Sequence, residues 1–550
     1  TLPMKFRILT DRNNPVWLIV ASSAWMSSAA NSPLRAELRH LNLLATPAGL
    51  AFAGALAMMI GTTLAALLSL LAWRWTLKPA LVLLLLAAAF GAYFMAAYRV
   101  VIDTTMMVNV LQTNPDETAD LLSLRMLGVV LLLGVVPAVL VWRTPVHYGS
   151  LPRRSLHNLL LLVASLLLLA VTVVAAFQPL ASTMRNHKQV RYLMNPLNSV
   201  YALGWIAARP LRRDESVTLP IGEDARAAAP GARPPLLVLV LGETARSVNL
   251  GLNGYGRDTT PELAREKVAS FRNAWSCGTS TAVSVPCMFS HLGREDFEAR
   301  KTNYESLLDV IHRAGLAVLW LDNQSGCKAT CDRVPSVETS NLKHPQLCTG
   351  GECLDGIMLE GLNARIAALP AERRARGVVL VMHQMGSHGP AYFKRSPPAF
   401  KRFLPECASN DLQRCSREEL VNAYDNSIAY TDHFLASTIR WLRQQSAWDP
   451  AMVYVSDHGE SLGENNLYLH GLPWAIAPDV QKHVPWVTWL SDGFTQRSGI
   501  TLQCLQDARD QKISHDHYFH SVLGLLGIQT AVYQPALDAY ARCARPPAAR

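Results

Sequence analysis

The chain has 550 residues, half of them hydrophobic, and a formal net charge of +9. That modest positive balance suits an anionic membrane surface; with no concentrated Lys/Arg stripe, it argues against nucleic acid as a partner. No internal repeat and no Gly/Ser-rich tract breaks the chain.

The hydrophobic average conceals two unlike parts. Crossing a bilayer takes about 20 apolar residues, and four early runs qualify: 47–73, 80–98, 126–142 and 156–177. A fifth, 15–30, is shorter and Ser-rich. It lacks the clean Leu-rich core of a signal peptide and reads as the first of five spans. Lys5, Arg7 and Arg12 precede it, Arg74 and Lys78 separate the second and third runs, and Arg143, Arg153 and Arg154 separate the fourth and fifth. The positive-inside rule puts those segments in the cytoplasm and everything after 178 outside, although Arg35 and Arg39 count against it.

The outer segment 99–122 places Asn109, Thr113 and Glu117 four residues apart, which on a helix aligns them along one face. A solvated face is the plainer reading. Residues 179–215 mix basic and aromatic with apolar side chains, as interfacial segments do, and 216–234 read as a boundary.

Beyond the boundary the pattern changes. The run "PPLLVLVLGETARS" (234–247) has no polar alternation, so it predicts a strand covered on both faces in a parallel sheet, with Glu243 at its C-terminal end. Three similar runs follow. Residues 316–325 end in Asp322 and Asn323, 377–390 in His383 and His388, and 451–461 in Asp457 and His458. One such end is usually a cap or a satisfied core histidine; four together point to a site. Glu, Asp and His are suitable ligands for Zn²⁺. The loop 276–290, "SCGTSTAVSVPCMFS", offers the hydroxyls of Ser276, Thr279, Ser280, Thr281 and Ser284, any of which a metal could activate as a nucleophile.

All ten cysteines fall after residue 270. An even count confined to the exported part implies disulfides, not zinc thiolates. Closeness in sequence pairs Cys277 with Cys287, Cys327 with Cys331, Cys348 with Cys353 and Cys407 with Cys415, leaving Cys504 and Cys543.

The stretches "GETARSVNLGLNGYGRDTTPEL", "SCGTSTAVSVPCMFS", "HQMGSHGP" and "SDHGESLGENNLYLHG" resemble the lipid A phosphoethanolamine transferases, which include the polymyxin- and colistin-resistance enzymes of Gram-negative bacteria. The likeness runs along essentially the whole chain. It implies an α/β fold: an alkaline-phosphatase/sulfatase-like mixed sheet flanked by helices, attached to an N-terminal all-α five-helix transmembrane domain. The implied division is 1–178 in the inner membrane, 179–233 as interfacial helices and linker, and 234–550 as a periplasmic catalytic domain.

By the same resemblance, Thr281 is the hydroxyl that becomes phosphoethanolaminated, with Glu243, Thr281, Asp457 and His458 holding one tight Zn²⁺. His388 and His470 belong to the phosphate side of the site or to a second, weaker zinc, which Glu460 also resembles a contact for. Lys328 matches a lysine near the transferred phosphate, Gln324 stands where some members have Asn, and Asn109, Thr113 and Glu117 match positions that help hold the lipid donor. The implied reaction moves phosphoethanolamine from phosphatidylethanolamine to lipid A through a threonine intermediate, in a monomer. Open alternatives are a transferase acting on lipopolysaccharide core sugar, a phosphoglycerol transferase, a tethered phosphatase or sulfatase, and a catalytically dead lipid or zinc receptor.

Overall fold

A computed structural model describes residues 13–113, 115–211, 213–228 and 231–544; Lys5, Arg7 and Arg12 lie outside them. The described residues form two compact units. One runs to Met107 and includes Leu122–Ala207; the other holds Val108–Leu121 and the chain from Ala208 on.

In the first unit, Pro47–Leu70, Leu77–Ala97, Leu124–Arg143 and Leu151–Ala175 are the helices, among the described residues, long and apolar enough to cross a membrane. Leu124–Arg143 widens to a π turn at Leu131–Val135, just before Pro137, whose missing N–H breaks the helical ladder. The 15–30 run forms a helix of only 14 residues, Pro15–Ser28, short of a full span. Asn31 sits at the turn that follows: its Nδ2 donates to the carbonyls of Met26 (2.7 Å) and Asn195 (2.5 Å). The interfacial stretch folds as helices Phe177–Asn186, Gln189–Tyr192 and Leu197–Ala207.

The outer segment is not one helix. Thr104–Gln112 ends with Thr113 already outside it, and Pro115–Leu121 is a second helix with proline at its first position. Asn109 lies on the first, Thr113 just past its end. The side chain of Glu117 lies outside the described residues.

The second unit is built on a sheet of eight strands among the described residues: β1 (Pro235–Gly242), β2 (Ala269–Trp275), β3 (Ala317–Asp322), β4 (Ser336–Glu338), β5 (Val378–His383), β6 (Asp449–Ser456), β7 (His483–Leu490) and β8 (Ile513–Ser514). Their spatial order is β8-β2-β7-β6-β1-β5-β3-β4. The four expected strands are its centre: β6, β1, β5 and β3 are mutually parallel and buried at every position, as their unalternating Leu/Val runs require. β7 pairs antiparallel with β6 and β2, making the sheet mixed. The helix Arg417–Arg443, opened by a Ser416/Glu419 capping box, packs against β6 and buries Phe434, Leu435 and Ile439. The Pro/Gly/Ala-rich boundary is stitched down by two short strands: Asp214–Leu219 pairs with Thr302–Tyr304, and Arg226–Ala227 with Ile528–Gln529.

Register aligns the strand ends. Asp322 pairs with His383, His383 with Leu241, and Gly242 with Ser456, so the residues that follow leave the sheet at one edge. All ten cysteines form disulfides, in the five pairings expected from sequence closeness.

Candidate active site

Glu243 and Asp457 follow β1 and β6 directly, side by side. Between them Thr244 sits at φ +59°, which β-branched residues rarely adopt. Three bonds hold it there. Its N–H donates to Asp457 Oδ1 (3.2 Å), its Oγ1 to Glu243 Oε1 (2.5 Å), and its carbonyl accepts from the Tyr424 hydroxyl (2.8 Å). Behind Glu243, Gly386 at φ +53° comes so close that a Cβ would lie 2.6 Å from the Glu243 carbonyl oxygen. Only glycine admits that approach.

The hydroxyl loop delivers one side chain to this edge. Ser280 is extended, and the chain then turns into the helix Thr281–Met288 with buried Thr281 at its first position, the positive end of the helix dipole. Disulfide Cys277–Cys287 brackets the turn. The Cys277 N–H donates to His515 Nδ1 (3.0 Å), and His515 Nε2 donates to the Ser456 carbonyl (3.0 Å). Acceptance at Nδ1 needs a neutral ring, and burial holds its pKa down to about 3.

Thr281 Oγ1 donates to Glu243 Oε2 across 2.9 Å. His458 Nε2 lies 3.4 Å from Thr281 Oγ1, 3.3 Å from Glu243 Oε1 and 3.4 Å from Asp457 Oδ2. Its Nδ1 is 2.9 Å from the Gly459 carbonyl, which can only accept, so Nδ1 carries a hydrogen and Nε2 faces three oxygens. Asp457 Oδ2 is buried without a hydrogen-bond partner among the described residues. Burial, with Glu243 beside it, pushes Asp457 up to about 7. Glu243 is buried too, yet the facing histidines, His458 first, hold it well below its ordinary value.

Two carboxylates this close and this buried require positive charge. His458 supplies it when protonated: burial opposes that, but Asp457 and Glu243 win and raise its pKa to about 10. A divalent cation would replace that proton. The ligand atoms of Glu243, Asp457 and His458 lie within 4.8 Å of one another, and with the Thr281 hydroxyl they make an N/O donor set that a metal ion fits.

Around this cluster, Gln324 Nε2 donates to Glu243 Oε2 (3.2 Å). The His470 ring lies 4.2 Å from His458 and 5.6 Å from His388, centre to centre. His470 Nδ1 is 3.3 Å from Glu460 Oε1, and the Tyr392 hydroxyl donates to Glu460 Oε2 (3.0 Å). Burial pushes Glu460 up to about 8.

The other sequence candidates have partners of their own. His383 and Asp322 pair with each other (3.1 Å), with Trp320 Nε1 donating to the same carboxylate (2.7 Å). Asn323 donates to Asp355. Lys328, at φ +51°, donates through Nζ to the Ser325 carbonyl and hydroxyl, both 2.8 Å. Thr113 Oγ1 donates to the Asn109 carbonyl (2.8 Å). Sequence reasoning missed Thr244, Tyr392, Tyr424 and His515, whose partners are mostly dozens to hundreds of residues away, at no diagnostic spacing.

A family profile described as Sulfatase matches residues 235–528, and one described as Phosphoethanolamine transferase EptA/EptB matches 60–211. The chain is 40% identical over 485 residues to phosphoethanolamine transferase EptA of Salmonella typhimurium, covering 87% of this chain and 88% of that protein. It is 38% identical over 532 residues to phosphatidylethanolamine transferase Mcr-1 of Escherichia coli, covering 94% and 95%. The structure of the integral membrane lipooligosaccharide phosphoethanolamine transferase A from Neisseria meningitidis superposes with TM-score 0.90 at 36% identity, covering 96% of this chain and 99% of that one. The protein resides in the bacterial inner membrane with its catalytic domain in the periplasm. Apolar helices, mixed sheet and convergent Glu–Asp–His–Thr cluster thus have one common explanation: the chain belongs to the phosphoethanolamine transferase family.

Proposed function

We propose that this chain transfers phosphoethanolamine from phosphatidylethanolamine to a phosphate of lipid A through a covalent intermediate on Thr281. One observation carries the reading: the Thr281 hydroxyl, at a helix start, donates to buried Glu243 beside Asp457 and His458. The name of one relative supports phosphatidylethanolamine as donor, and that of another a lipooligosaccharide acceptor.

Glu243, Thr281, Asp457 and His458 would hold one tight Zn²⁺, with His388 and His470 on the phosphate side of the site or, together with Glu460, holding a second, weaker zinc. Bound zinc supplies Lewis-acid charge that lowers the hydroxyl pKa and offsets charge developing on phosphoryl oxygens. Thr281 Oγ1 attacks phosphorus as its proton passes to Glu243, and the bond to the diacylglycerol oxygen breaks. His388 or His470 gives that oxygen a proton, and Gln324 and Lys328 orient the phosphoryl group. A lipid A phosphate oxygen then attacks the same phosphorus, the bond to Thr281 Oγ1 breaks, and Glu243 returns the proton to that oxygen. The product is less negative and attracts polymyxin and colistin less, which gives resistance.

Asn109, Thr113 and Glu117 hold the donor lipid in this reading. Pro15–Ser28 is a fifth, shorter membrane helix, so that 1–178 form the anchor, 179–233 the interfacial part and 234–550 the catalytic domain of a monomer.

The test is mass spectrometry of lipid A from Gram-negative cells expressing the chain or its Thr281→Ala variant. A phosphoethanolamine increment only with the native chain is expected. Unmodified lipid A from well-expressed native protein would overturn the acceptor, and the core sugars would be analysed next.

A further inference from the structure

Arg395 is a buried guanidinium with three polar partners on three separate segments. Its Nε donates to the His388 carbonyl (3.0 Å), its Nη2 to Asp120 Oδ2 (2.8 Å), and its Nη1 lies 3.1 Å from Glu352 Oε2. Asp120 is itself buried, only 3% exposed, on the helix Pro115–Leu121, and Lys394 pairs with the same carboxylate. That helix contains Glu117 and follows Asn109 and Thr113 in the chain. At the other end of the loop carrying His388, Asp355 accepts the N–H groups of Met385 (2.8 Å) and Gly386 (3.0 Å).

An exposed ion pair is worth little, but a buried guanidinium that loses one partner leaves charge uncompensated. A fork of fixed N–H directions also transmits displacement: moving Asp120 moves Arg395, and with it the His388 backbone. Asp355 ties the start of the loop independently of these three contacts.

We propose that Arg395 is a positioning residue that holds His388 and the helix Pro115–Leu121 in one register through Asp120. This rests on the reading above, with His388, of the two histidines named there, taken as the proton donor to the leaving diacylglycerol oxygen and the neighbouring polar residues holding the donor lipid. Release of p-nitrophenolate, a good leaving group, needs no such proton.

The experiment compares the full-length protein and Asp120→Asn in detergent, with phosphatidylethanolamine and lipid A in mixed micelles or with the p-nitrophenyl ester of phosphoethanolamine. Losing one charge-assisted bond should lower kcat for lipid transfer about tenfold, while p-nitrophenol release stays at the native rate. Amide hydrogen exchange should rise at 115–121 and at 386–392 together. Arg395→Lys, whose single ammonium cannot serve three partners, should behave alike and replaces Asp120→Asn if that variant fails to fold. Unchanged lipid transfer, equal loss on both substrates, or faster exchange confined to 115–121 would each overturn the proposal. A native protein inactive on both substrates would instead overturn the transferase reading, and the exchange experiment would still decide the coupling.

Discussion

Thr281 Oγ1 and Glu243 Oε2 are 2.9 Å apart, the distance of a hydroxyl already giving its hydrogen to a carboxylate. Thirty-eight residues separate them in sequence, yet both are buried. In the proposed reaction, a nucleophile and a base held this way need little rearrangement.

Thr281→Ala removes the attacking oxygen and should lower transfer on the order of 10³-fold or more. Thr281→Ser keeps the oxygen without the methyl group that fixes its rotamer, and should retain part of the activity. Intact-mass measurement after incubation with phosphatidylethanolamine should show a phosphoethanolamine adduct on the native and Ser proteins and none on Ala.

Metal content should follow the buried donors. Elemental analysis of Asp457→Asn and His458→Ala should find at least ten times less zinc at equal free metal, since each change deletes one of few ligands. Removing the metal from the native protein with a chelator should lower Tm, and restoring zinc should recover it, because ligand binds the folded state alone. A Tm indifferent to zinc would count against metal at this cluster.

Cys277 and Cys287 close a ten-residue stretch around the start of the helix that Thr281 opens. Replacing both with Ser should cost about 2–4 kcal/mol in denaturant unfolding, mainly by freeing the unfolded chain. Transfer should fall further than stability explains, as the Thr281 turn loses its bracket while His515 keeps its bond to the Cys277 N–H position.

The Asp322–His383 pair sets a pH window. Asp322 is buried, but His383 outweighs that and holds its pKa near 2, below the ordinary 3.8. Its contribution is present above 3.8 and lost as pH falls toward 2. His383 is buried as well, and Asp322 raises its pKa above 6.5. Its contribution is present below 6.5 and lost as pH rises through the raised value. The pair therefore stabilises most between 3.8 and 6.5. The stability difference between native protein and His383→Gln, measured in urea from pH 4 to 9, should be largest at the acid end and shrink as pH rises.

Local pattern determined much here. Unalternating runs named the four central strands, because a strand covered on both faces has no polar side to show. Closeness in sequence named the disulfides, because short loops close readily. The motif likeness named Glu243, Thr281, Asp457 and His458, the residues the fold brings to one edge. Other features waited for the tertiary structure. His383 and Asp322, equal to the other strand-end groups by pattern, satisfy each other because their strands pair in register. Thr244, Tyr424 and His515 serve the site through bonds to distant backbone, which leave no spacing in the sequence. The polar stripe of the outer segment broke at Pro115, and Asp120, on the second helix, took a buried partner 275 residues away. Periodicity records what one residue shows to its near neighbours; which charge meets which across the fold is decided only when strand order and register bring them within a few ångströms.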